Sequence, residues 1–130
     1  MKQWMKNVTL VCSVAALTGT ALGGSRLTVP VDINVAVGYA RGSLGDARNS
    51  ADAVQYIGCY NASSVGSTIV LCEAQDAGGV YRSCVTTDVN MVATARSISG
   101  GSFLYFQWNA SGNCTALQVT SYSLFRPATP

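Results

Sequence analysis

The 130-residue chain contains no histidine, and its only lysines are Lys2 and Lys6. Without histidine, Ser-His-Asp and Cys-His catalysis are excluded, and so are imidazole-ligated metal sites. With no lysine beyond residue 6, the rest of the chain has no amine for a general base or a Schiff base. Acids are scarce as well, consisting of Glu73 and five aspartates. A carboxylate-dependent hydrolase is the one catalytic class left open, because glycoside cleavage needs only a pair of acids. Glu73 and Asp76 flank a hairpin turn, and Asp46 and Asp52 lie in a polar connection, so each reads more simply as a turn or solvation residue. The expectation is a protein that is not an enzyme and takes no metal and no cofactor.

Clustered positive charge is also missing. Arg26, Arg41, Arg48, Arg82, Arg96 and Arg126 are scattered singly and are matched by the six acids, so the chain beyond residue 23 carries no net side-chain charge. Phosphate binding relies on clustered cations that displace counterions, so nucleic acid and anionic membrane surfaces are poor partners. No phosphate loop is present either. The segment "GSLGDARN" lacks both the lysine and the strand-to-helix context. There is no internal repeat and no β-α-β alternation.

What is present begins with a leader. "MKQWMK" is basic, and the run "NVTLVCSVAALTGTALG" after it carries no charge and ends in small residues. That is the layout of a secretory signal peptide over residues 1–23, with cleavage before Gly24 and no membrane attachment afterwards. Polar and glycine interruptions make it a poor transmembrane span. Secretion or a periplasmic location follows.

Four cysteines remain beyond the leader, at 59, 72, 84 and 114. Gaps of 13, 12 and 30 residues offer no close cysteine pair for zinc, and an even number in an exported chain implies two disulfides. A hairpin centred near Val65 sets Cys59 opposite Cys72, and one centred on Gly78 sets Cys72 opposite Cys84. The favoured pairing is Cys59–Cys72 with Cys84–Cys114. The alternative joins Cys72 to Cys84 and Cys59 to Cys114.

Alternation carries the fold class. Residues 27–39 place seven apolar residues on one parity and predict one long strand, with Pro30 marking it as a sheet edge or a bend. A polar connection over 41–52 has room for a helical turn near 44–52. Strands are predicted at 53–60, 68–75 and 80–87, a helix over 88–98 capped by Asp88, and a final hairpin from 103–109 and 114–125. The expected architecture is mostly β, a small antiparallel β-sandwich or open barrel of about six strands with one short helix. It is a single domain over 24–126, followed by a disordered tail at 127–130.

The final hairpin carries the candidate site. A four-residue loop at 110–113 sets Trp108, Phe106 and Leu104 opposite Thr115, Leu117 and Val119 on a core face. The other face then presents Phe103, Tyr105 and Gln107 beside Ala116, Gln118, Thr120 and Tyr122. Rings among amides and a hydroxyl suit a carbohydrate or peptide: the ring is an apolar plate and the polar groups fix orientation. Tyr105, Gln107, Gln118 and Tyr122 are the expected contacts. The plain alternative is that the 88–98 helix packs on this face and buries the rings.

The segments "ARNSADAVQYIGC", "CEAQDAGG", "SCVTT", "ATARSI" and "FQWNASGNCT" resemble a loose family of small exported four-cysteine bacterial proteins of uncharacterised function. The resemblance spans most of residues 47–119. Its markers are the four cysteines and a Trp-Asn-x-x-Gly-x-Cys turn, and it implies export and disulfides but no catalytic residue. The functional expectation is a non-enzymatic binding module or an envelope or extracellular structural component. Two alternatives use other surfaces: an inhibitor or effector contacting a protein through Arg41, Asp46 and Arg48, or a subunit that assembles through its first strand.

Overall fold

The computed structural model describes residues 23–128. The expected leader, apart from Gly23, lies outside the described residues, as do residues 129 and 130. Seven strands and two short helices follow in the order β1 (Asp32–Asn34), β2 (Tyr39–Ser43), α1 (Leu44–Arg48), β3 (Tyr56–Ser64), β4 (Ser67–Gln75), β5 (Tyr81–Thr86), α2 (Val89–Ala95), β6 (Phe103–Trp108) and β7 (Cys114–Thr120). They form two antiparallel sheets, one ordered β1-β2-β6-β7 and the other β3-β4-β5. The mostly β, two-disulfide sandwich expected from the sequence is what the chain adopts, with one more strand and one more helix than anticipated.

The extra strand comes from the opening segment. Its parity suggested a single strand over 27–39, but the chain reverses at residues 34–38. Gly38 N–H donates to the Asn34 backbone oxygen at 2.8 Å, and Val37 N–H donates to Asn34 Oδ1 at 2.9 Å. Gly38 sits at φ +88°, a left-handed conformation that costs glycine little. Here turn chemistry outweighed periodicity, and Val35 and Val37 are left exposed as a consequence. β1 lies at the sheet edge just beyond Pro30. The extra helix is the single turn α1, lying in the connection that had room for a helical turn near 44–52, and its N-cap Ser43 accepts from Asp46 N–H.

In the second sheet, β3 runs to Ser64, past the boundary expected at residue 60. A two-residue turn, Val65 and Gly66, closes the hairpin, and the facing hydroxyls of Ser63 and Thr68, and of Ser64 and Ser67, bond across it. At the next turn, Asp76 Oδ1 accepts from Val80 N–H and Asp76 O accepts from Gly79 N–H. Cys72 stands opposite both Cys59 and Cys84 in the two ladders. The bridges are Cys59–Cys72, with Cα atoms 4.0 Å apart, and Cys84–Cys114, at 4.9 Å.

The sheets enclose one core. Leu104 and Phe106 enter it from the first sheet, Ile57 and Val70 from the second, and Val92 and Ala95 from α2. Asp88 caps α2 through the N–H groups of Asn90 and Met91, as its sequence position predicts. The Trp-Asn-x-x-Gly-x-Cys turn joins the two sheets. Asn109 Oδ1 accepts from the N–H groups of Ser111 and Asn113, Gly112 O accepts from Val85 N–H, and Cys114 bridges to Cys84.

The C-terminal segment is tied down as far as Ala128, whose N–H donates to Gly100 O at 2.8 Å. Tail behaviour was expected from residue 127 onward, and backbone pairing of this kind could not be read from "RPATP". The segment crosses α1 at Gly45, where an added Cβ would lie 1.7 Å from Arg126 O.

Candidate functional site

Strand pairing lays the outer face of the first sheet out in rows. Asp32, Arg41, Tyr105 and Gln118 stand in register across all four strands, and Asn34, Tyr39, Gln107 and Ala116 form the adjacent row. Successive side chains on a strand point to opposite faces. Because Leu104 and Phe106 are completely buried, Phe103, Tyr105 and Gln107 must point away from the core.

The hairpin register matches the sequence reading at Phe106 with Leu117 and at Leu104 with Val119. It departs at Trp108, which stands opposite Cys114 rather than Thr115 because a bulge falls between Gln107 and Trp108. An extra residue on one strand shifts every pairing beyond it.

Helix α2 does not cover these rings. Val92 and Ala95 pack in the same cluster as Leu104 and Phe106, on the inner side of the sheet. Tyr105 stacks on Tyr39 with ring centroids 5.6 Å apart. Phe103 stacks on Phe125 at 5.6 Å, and Phe125 on Tyr122 at 6.2 Å. Of the four expected contacts, Tyr105 and Gln118 are directly opposite each other and Gln107 lies in the next row. Tyr122 stands apart from them, beyond the end of β7 in the Phe103 stack, because the strand ends at Thr120 and the chain turns back, with Phe125 N–H donating to Tyr122 O.

Sequence reasoning did not place Tyr39, Arg41 and Asp32 on this face. Their signal was present in the Asn34-to-Gly38 turn, which folds β1 and β2 onto this face. Arg41 Nε donates to Asp32 Oδ2 at 3.0 Å, the guanidinium lies 5.7 Å from the Tyr39 ring centroid, and the Tyr39 hydroxyl donates to the same Oδ2 at 3.4 Å. Both charges of that pair are half exposed, so the pair orients more than it stabilises. Gln118 Nε2 donates to Thr120 Oγ1 at 3.4 Å, which leaves its carbonyl oxygen facing solvent. The Gln107 amide has no hydrogen-bond partner among the described residues.

The surfaces behind the alternative readings are arranged differently. Arg41 belongs to β2, while Asp46 Oδ2 accepts from Val29 N–H at 2.8 Å, so Arg41, Asp46 and Arg48 do not converge on one loop. Along the first strand, Val31 N–H donates to Gln55 Oε1 at 2.8 Å. Together Asp46 and Gln55 take up two backbone donors that an incoming strand would need. Asp76 is committed to its turn, and Glu73 lies on the outer face of the second sheet.

No protein-family model, curated protein or solved structure matches the chain.

Proposed function

We propose that the chain is an exported, non-enzymatic binding module that holds a glycan on the outer face of its four-stranded sheet, outside the cytoplasm. The observation that carries this reading is the stacked, half-buried pair of Tyr39 and Tyr105 on the outer face, flanked by the amides of Gln107 and Gln118. The ring face that the stack leaves uncovered gives the apolar face of a sugar ring a surface to pack on. Amides one strand away can donate to and accept from its hydroxyls. Asp32 and Arg41 add one acceptor and one donor group at the margin. Two disulfides suit a protein that works in an oxidising compartment.

The test is a glycan array, followed by affinity measurement on the oxidised chain from Gly24, with Tyr105→Ala and Gln118→Ala as variants. Saturable glycan binding that falls at least about tenfold in Tyr105→Ala, with an unchanged unfolding midpoint, supports the proposal. Capture of a peptide by the same residues would reassign the ligand and keep the face. Glycan binding indifferent to both substitutions would remove this face from consideration.

A further inference from the structure

The second sheet carries its own aromatic surface. Tyr56, Gln75 and Tyr81 form one row across β3, β4 and β5. Gly58, Glu73 and Ser83 form the next, and Tyr60, Leu71 and Val85 the third. The alternating residues Ile57, Val70, Cys72, Ala74 and Cys84 are buried, so these three rows face solvent. Tyr56, Tyr60 and Tyr81 keep 43%, 65% and 42% of their surface exposed, a concentration of ring area that a solvated sheet face does not need.

The two ends of the middle row are low. Gly58 has no side chain and open space above it, and Ser83 has a short one. Residues two apart on a strand lie about 7 Å from each other. Gly58 and Ser83 therefore open a groove across the strands on either side of Glu73, which stands at the centre of its floor, with tyrosine in both flanking rows. Glu73 is half buried in that floor and has no hydrogen bond or ion pair with any described residue. The Tyr56 phenol is raised above its usual pKa, first by partial desolvation and then by the charges of Glu73 and Tyr81, which places both of those groups within electrostatic reach of Tyr56.

Electron-rich ring faces around an unpaired carboxylate attract a cation. A quaternary ammonium would satisfy the rings but bring no hydrogen-bond donor to the two carboxylate oxygens. A guanidinium does both, because its plane stacks on a phenol ring while its N–H fork matches a carboxylate. We propose that this groove binds an arginine side chain of a partner protein, with Glu73 as the bidentate acceptor and Tyr56, Tyr60 and Tyr81 as its walls. The site lies on the other sheet from the glycan face and shares no residue with it.

The experiment is a titration of the ¹⁵N-labelled, oxidised chain with acetyl-Gly-Arg-Gly-amide at constant ionic strength, read from backbone amide shifts. Saturable shifts confined to residues 56–60, 71–75 and 81–85 are expected. The same peptide with neutral citrulline in place of arginine should give none. Glu73→Gln should weaken binding at least about tenfold, the loss expected for a charge-assisted hydrogen bond, with an unchanged spectrum elsewhere. Tyr60→Ala should weaken it too, and Tyr105→Ala should titrate like the unaltered chain. Equal shifts with citrulline, or unchanged affinity in Glu73→Gln, would overturn the proposal. Tetramethylammonium binding as tightly as the arginine peptide would overturn the guanidinium assignment.

Discussion

Replacing Cys84 and Cys114 together by alanine removes a covalent link between the two sheets, because Cys84 lies in β5 and Cys114 opens β7. That bridge closes a sequence separation of 30 residues, whereas Cys59–Cys72 closes 13. In the chain-entropy account the two bridges are worth about 3.6 and about 3 kcal/mol, a difference of about 0.7 kcal/mol. The structure widens this gap. Cys59 and Cys72 are directly opposed in a hairpin already closed by a two-residue turn and a nine-pair ladder, so those strands find each other without the bridge. Cys84–Cys114 sits where the sheets are tied by the hydrogen bond from Val85 N–H to Gly112 O, and its loss loosens that junction as well. Cys84 and Cys114 are both buried, whereas Cys59 is half buried beside the buried Cys72, so the cavity term acts in the same direction. Urea unfolding of the two double-alanine variants, compared with the oxidised chain by midpoint and slope, measures the difference. The Cys84/Cys114 variant should lose about 3.6 kcal/mol or more, a large share of the stability of a domain this size. Greater destabilisation from the Cys59/Cys72 variant would refute the argument.

Gly45→Ala forces a Cβ to within 1.7 Å of Arg126 O. The C-terminal segment should lift off α1, at a cost of about 1–3 kcal/mol, seen as a lower melting temperature and new proteolytic cleavage after residue 125; unchanged values for both would contradict the contact. Asp52 accepts from the Gln55 side chain and from the N–H groups of Val54 and Gln55, which hold its pKa at about 2. Its folded value lies below its unfolded one, so the contribution is present above about pH 4 and is lost as pH falls toward about 2. The Asp52 carboxyl carbon, followed by NMR, should titrate near the lower value; a midpoint near 4 would mean the bonds do not form in solution. Glu73→Gln should lower the Tyr56 phenol pKa, because one of the charges raising it is removed. Phenolate absorbance against pH checks the direction, and no shift would separate the two groups.

The sequence was most informative where a few neighbouring residues settle an outcome. Asp88 before an apolar i, i+3, i+4 pattern marked α2, and Leu104, Phe106, Leu117 and Val119 specified their hairpin register, because a one-residue slip would expose all four. Strand register narrowed the bridges to two pairings, and the one observed is the one that does not require Cys59 to reach Cys114 across the fold. The misses came from competition between local signals. The alternation over 27–39 was real, but Asn34 and Gly38 supply a turn whose hydrogen bonds outweigh continued alternation, and exposing Val35 and Val37 is cheap at a sheet edge.

By itself, then, the sequence determined the class of fold, the elements between residues 53 and 120, the four bridging cysteines and one ring-bearing face of the last hairpin. Each of these rests on spacing along the chain. Only the tertiary structure decided that α2 packs inward and leaves Tyr105 open, and that Tyr39 and Arg41 join Tyr105 in one surface. It also decided that the C-terminus closes over Gly45. The pairing of β2 with β6 and the packing of the C-terminal segment on Gly45 bring together residues 60 to 81 apart in the chain. That choice is made by burying one shared core, and spacing along the chain does not encode it.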